Sequence, residues 1–71
     1  MKKIIKIEGM MCPHCSGRVK KVLEEIEGVA EADVSHERGD AIVTLSGKVA
    51  DEVLVSTVTD VGYKVLGISE E

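Results

Sequence analysis

The 71-residue chain has no tryptophan and no phenylalanine, and Tyr63 is its only aromatic residue. A core without rings must be built from β-branched and small aliphatic side chains, and no platform exists for stacking nucleic-acid bases. Positive charge is also short: nine Lys and Arg stand against thirteen Asp and Glu, a formal charge of −4 at pH 7. Such a chain lacks the basic footprint of non-specific nucleic-acid binding. Long apolar runs are missing too, since a membrane-spanning helix needs about 20 apolar residues. Direct membrane insertion is therefore not expected. The opening Met1-Lys2-Lys3-Ile4-Ile5-Lys6-Ile7 has no sustained apolar run and no small-residue cleavage site. That argues against a secretory leader and makes the cytoplasm the expected location.

Cysteine is scarce as well, with only Cys12 and Cys15 present. A loop that short cannot staple a whole fold. A structural zinc site normally takes four protein ligands, so a zinc ribbon would need a second cysteine pair. The length allows one domain, taken as residues 1–71, with a core small enough that its stability margin is about 3 to 5 kcal/mol. A bound ligand should then stabilise the fold visibly.

What is present is alternation and helical period. Ile5 and Ile7 alternate with Lys6 and Glu8, with Ile4 on the opposite side, as in a strand with one buried face. Pro13 suits a helix start because its missing N–H costs nothing in the first turn. From there Cys15, Val19, Val22, Leu23 and Ile26 draw one apolar stripe against a polar face, and Gly28 is the expected stop. Ala30, Ala32 and Val34, then Ala41, Val43 and Leu45, alternate as two strands joined by the turn cluster His36 to Asp40, which predicts an antiparallel hairpin. Ala50, Val53, Leu54, Thr57, Val58 and Val61 return to the helical period in spite of indifferent helix formers. Gly62 ends that helix, and Tyr63 to Ile68 reads as a last strand. The order βαββαβ predicts an α+β ferredoxin-like sandwich, a four-stranded antiparallel sheet with both helices on one face. This architecture hosts many activities and does not by itself give a function.

Chemistry concentrates in Gly9-Met10-Met11-Cys12-Pro13-His14-Cys15-Ser16-Gly17. Two cysteines three positions apart at a loop-to-helix junction can aim both sulfurs at one point. Free N–H groups and the helix dipole favour the thiolate form there. Soft thiolates select soft ions such as Cu(I), with Zn(II) a borderline competitor. Two ligands also leave an open position at which an incoming ligand can attack before the outgoing one departs.

Met10-Met11-Cys12-Pro13-His14-Cys15, preceded by Gly9, resembles the Met-x-Cys-x-x-Cys pattern of the heavy-metal-associated domain family. That family includes small copper chaperones, N-terminal domains of metal-transporting P-type ATPases and periplasmic mercury carriers. The likeness covers nearly the whole chain, since the motif falls between first strand and first helix, and Gly62-Tyr63 falls at the start of the last strand. It implies that Cys12 and Cys15 are the metal ligands, that Met10 packs beneath the loop and that Tyr63 approaches the site from the neighbouring loop. It also implies a partner: a metal-transporting P-type ATPase or another metal-binding domain. The protein would be a monomer, with a metal-bridged dimer as an alternative. Met11 departs from the small hydroxyl residue often found there. No acidic residue adjoins Cys12, unlike many zinc-pump and cadmium-pump domains, which tilts the reading toward Cu(I) over Zn(II) or Cd(II). Hg(II) accepts the same linear dithiolate and stays open.

Cys-Pro-His-Cys is also the active-site sequence of oxidising thioredoxin-fold proteins. Length opposes that alternative, as does the absence of a second proline. The expectation is a binding protein, not an enzyme. His14, between the cysteines, should point outward; Met11 should be exposed; His36 should lie in a solvated turn. The charges of the first helix run against its dipole, with Arg18, Lys20 and Lys21 early and Glu24, Glu25 and Glu27 late. Two accounts stand side by side. One is pairing at spacing four, Lys20 with Glu24 and Lys21 with Glu25. The other is a positive collar that steers an acidic partner.

Overall fold

A computed structural model describes residues 2–11 and 13–70. The elements run β1 (Lys2–Glu8), α1 (Pro13–Glu24), β2 (Val29–Ser35), β3 (Asp40–Leu45), α2 (Asp51–Asp60) and β4 (Lys64–Glu70). The sheet order is β2-β3-β1-β4 and every neighbouring pair is antiparallel. This is the ferredoxin-like arrangement expected from the pattern. β1 sits in the middle, paired with β3 through Ile5 opposite Ala41 and with β4 through Ile5 opposite Ile68.

The alternation in β1 and β3 has a simple outcome. Ile5, Ile7, Ala41, Val43 and Leu45 point into one cluster with Val19 and Leu23 of α1 and Leu54 and Val58 of α2. Apolar burial of this kind is the main term holding so small a fold. The aliphatic period therefore located most of the core, with four corrections. Helix α1 ends at Glu24, so Ile26 lies in the following turn, its N–H bonded to the Leu23 carbonyl at 3.1 Å. The register of β2 against β3 shifts between Val29 and Glu31, which leaves Ala30 exposed, while Val29, opposite Leu45, packs against the core. A bulge displaces one residue from the period-2 pattern. Val53 is exposed on α2, and buried Val49, just ahead of that helix, was not anticipated. β4 runs to Glu70, two residues past Ile68.

The pole where α1 ends and α2 begins is tightly tied. Gly28 has φ of +101°, a conformation that side chains other than glycine rarely adopt, and its carbonyl accepts the N–H groups of Ser46 at 2.8 Å and Gly47 at 3.2 Å. A Cβ at Gly28 would stand 2.7 Å from Val49 Cγ2. Beside it Lys3 Nζ reaches the Val49 carbonyl at 3.4 Å and forms an ion pair with Asp51 in the first turn of α2.

A second tie closes one edge of the sheet. Lys20 Nζ donates to Glu24 Oε2 at 2.9 Å and to the Ala32 carbonyl at 2.8 Å, while the Ala32 N–H donates to the same Glu24 oxygen at 3.4 Å. The pair on α1 thus occupies the donor and acceptor that Ala32 of edge strand β2 would offer to another strand, a known way of blunting an edge. The Lys20 hydrogen bond, helped by the Ala32 N–H, holds the Glu24 carboxyl below its usual range, and the Glu24 hydrogen bond raises Lys20.

Candidate metal centre

The opposite pole carries the loop between β1 and α1. Because β1 and β3 are antiparallel with Lys6 opposite Asp40, the β2–β3 hairpin turns at this same end, and the Ile7 N–H donates to the Gly39 carbonyl at 2.8 Å. The α2–β4 connection, Val61 to Tyr63, arrives here too, since Glu8 is opposite Lys64. Two connections therefore flank the candidate loop.

Within it Met10 is buried in the core and Met11, the next residue, is 86% exposed. Met10 is thus a packing residue that anchors the loop, as expected, and Met11 is free to touch a partner. Cys12 lies outside the described residues. Cys15 is in the first turn of α1, half-buried and packed against the core cluster, with Pro13 and His14 exposed. His14 faces outward as expected. Ser16 was not singled out from the sequence: it is buried and its hydroxyl donates to the Pro13 carbonyl at 2.9 Å, tightening the turn that holds Cys15. The i to i−3 pattern of a serine in a first helical turn was the available signal. No acidic residue stands in the first turn of α1. The positive end of the helix is therefore left for negative charge brought by thiolates.

Tyr63 is half-buried against the core cluster. Its Cδ1 lies 3.4 Å from where a Cβ on Gly9 would be, and Gly9 has φ of +104°. The ring therefore rests on the backbone of the loop just ahead of Met10. His36 is partly buried in the hairpin at the same end. Among the described residues no group of three or more His, Cys, Asp and Glu side chains converges as a metal cage. The donor set is consistent with an ion content with few soft ligands, not with a closed four-ligand site.

The charged face of α1 divides in two. Lys20 is engaged with Glu24 and β2. Arg18 and Lys21 are exposed, and the anticipated Lys21 to Glu25 pair does not form among the described ion pairs. A depression of about 400 Å³ next to the loop is lined by Pro13, His14, Gly17, Arg18 and Lys21, without an acidic residue. Gly17 also lines a second depression, about 340 Å³, farther along the helix. A glycine inside a helix is less stable than alanine by about 1 kcal/mol, and the sequence pattern assigns this one no role of its own.

Comparison with known proteins agrees with this architecture. The chain is 40% identical over 60 residues to a mercuric reductase of Shewanella putrefaciens, covering 84% of this chain but only 11% of that protein. It thus spans about a ninth of the length of that relative. It is 38% identical over 65 residues to the copper chaperone CopZ of Staphylococcus aureus, covering 90% of this chain and 96% of that one. The solved structure of a CopZ metallochaperone superposes with a TM-score of 0.88 at 37% identity, covering 93% of this chain and 100% of the other. The model of the heavy-metal-associated domain matches residues 4–64, a span that holds the loop, both helices and the sheet up to the first residue of β4, apart from the start of β1, and the chain belongs to that family.

Proposed function

We propose that residues 1–71 form one non-enzymatic domain that binds a single Cu(I) ion between the thiolates of Cys12 and Cys15 and passes it to a partner by ligand exchange. The observation that carries this reading is the placement of Cys15 in a first turn of α1 that holds no acidic residue, beside a loop pinned by buried Met10. There a thiolate is favoured, and the three-residue spacing of the motif is what would let Cys12 offer a second one to the same ion. Cu(I) is satisfied by two or three soft ligands, and zinc would have to recruit His14, water or a second molecule. The likeness to copper chaperones over nearly their full length supports carriage of copper. The likeness to mercuric reductases favours Hg(II) as the second reading, since a linear dithiolate suits that ion equally. The partner would be a metal-transporting P-type ATPase or another metal-binding domain. It would be met in the cytoplasm through the exposed Arg18 and Lys21.

Anaerobic native mass spectrometry of the reduced protein, equilibrated with buffered Cu(I) and excess Zn(II), tests the metal. One copper per chain is expected, and a predominantly zinc-loaded monomer would sink the reading. Competition of buffered Cu(I) against buffered Hg(II) decides between the two soft ions.

A further inference from the structure

We infer that Gly17 is a specificity-determining residue for metal hand-over: its missing side chain leaves a notch in α1 into which an acidic side chain of the receiving protein fits. The inference rests on the carrier reading above and deepens it. Two intramolecular reasons usually explain a glycine, and neither holds here. Gly17 is not among the glycines with positive φ, and a Cβ built on it would meet nothing within 4 Å. The fold would accept alanine at no steric cost and gain helix stability. The third reason, close approach by another molecule, fits the surroundings. Gly17 lies one turn from Pro13 and His14 and one turn from Lys21, on the exposed side of the helix that holds Cys15.

The chemistry of the occupant follows from the lining. The depression beside the loop is lined by Gly17 together with Arg18 and Lys21, and by no carboxylate. Lys20 cannot swing into it without leaving Glu24 and Ala32. A carboxylate-bearing side chain entering there meets two cations while its backbone comes down onto the glycine. That contact sets the distance between partner and Cys15, and a side chain at position 17 would hold the two surfaces apart.

The test uses the chain loaded with Cu(I) as donor and, as acceptor, a metal-free copy carrying Arg18→Glu and Lys21→Glu, whose α1 face is acidic and whose mass is distinguishable. Donors are the wild type, Gly17→Ala and Gly17→Gln, followed by anaerobic mass spectrometry with time. Both substitutions should raise the melting temperature or leave it unchanged, and both should lose Cu(I) to a small chelator at the wild-type rate. Transfer to the acidic copy should slow roughly tenfold for Gln and less for Ala. Wild-type transfer by Gly17→Gln would overturn the role of Gly17 and leave the carrier reading intact. Equal slowing toward the small chelator, or a lower melting temperature, would make the glycine a structural residue and overturn it as well. A wild type that holds no Cu(I) would instead overturn the carrier reading and this inference with it.

Discussion

Both ends of the molecule use a glycine of positive φ to bring chain segments close, Gly28 at one and Gly9 at the other. Only the loop end adds a glycine that nothing in the fold requires, Gly17. At the closed pole Gly28 is pressed against Val49 and its carbonyl holds two N–H groups, so the residue is needed for the chain to fold. At the loop end Gly9 lies beneath the Tyr63 ring and Gly17 opens onto solvent. The closed pole ties together the end of α1, the start of α2 and, through Lys3 and Asp51, the first strand. With that end fixed, the other can afford an exposed methionine, a first helical turn without acidic residues and an open cationic depression. The tightest backbone ties and the candidate metal centre thus lie at opposite ends of the same small sheet.

The strongest test of this division removes the ligands. Cys15→Ser or Cys12→Ser should lower Cu(I) affinity by about a thousandfold, because one thiolate loses the effective concentration that the second supplies. The apo protein should still melt close to the wild type. Retained tight one-to-one binding in either variant, measured by competition with a Cu(I) buffer, would remove that cysteine from the site.

Gly28→Ala should do the reverse. Left-handed strain and the contact with Val49 together cost about 3 kcal/mol, most of the margin available to a chain this short. Urea unfolding should show the loss, and saturating Cu(I) should recover part of it, because a ligand bound only to the folded state shifts the equilibrium. A Gly28→Ala protein as stable as the wild type would mean that the closed pole is not what holds the fold.

The two lysines of α1 separate the roles at finer scale. Lys20→Ala should lower the melting temperature and leave transfer to an acidic partner unchanged, whereas Lys21→Glu should slow transfer and leave the melt unchanged. A joint reversal of both would confuse the two effects. The deficit of Lys20→Ala should also depend on pH with a definite sign. The Lys20 hydrogen bond holds the Glu24 carboxyl below the usual glutamate range in the folded state, so its contribution is present above that range and is lost as pH falls through the lowered one. Thermal melts at neutral pH and near pH 3 should show the difference between variant and wild type shrinking on acidification. A constant difference would mean that the pair on the β2 edge contributes nothing.

The smallest expected effect is at Tyr63. Tyr63→Ala should speed loss of Cu(I) to a chelator a few-fold, by uncovering the side of the loop on which the ring rests, and Tyr63→Phe should not. Equal loss rates for all three proteins would leave the ring with a packing role alone.

Much of this was legible in the chain. Alternation in β1 and β3 and the threefold and fourfold spacing in α1 located Ile5, Ile7, Val19, Leu23, Ala41 and Val43 in the core, because burial of one face imposes a period on any regular element. The motif located Cys15 in the first turn of α1, and a buried Met10 beside an exposed Met11 follows from the same local geometry. Irregularities were not legible. The bulge that trades Ala30 for Val29 and the early end of α1 before Ile26 depend on how strands and helix meet across the sheet. So does the division of labour among the basic residues. Spacing four allowed Lys20 and Lys21 the same partner chemistry, and only the proximity of β2 to α1 engages one and leaves the other in solvent. Gly17 is the clearest case: a glycine in a sequence is compatible with a turn, a tight contact or an open surface. Local pattern determines which residues are buried, because periodicity is a property of a single element. What a glycine or a lysine is for depends on the neighbours that tertiary packing brings, or fails to bring, within reach.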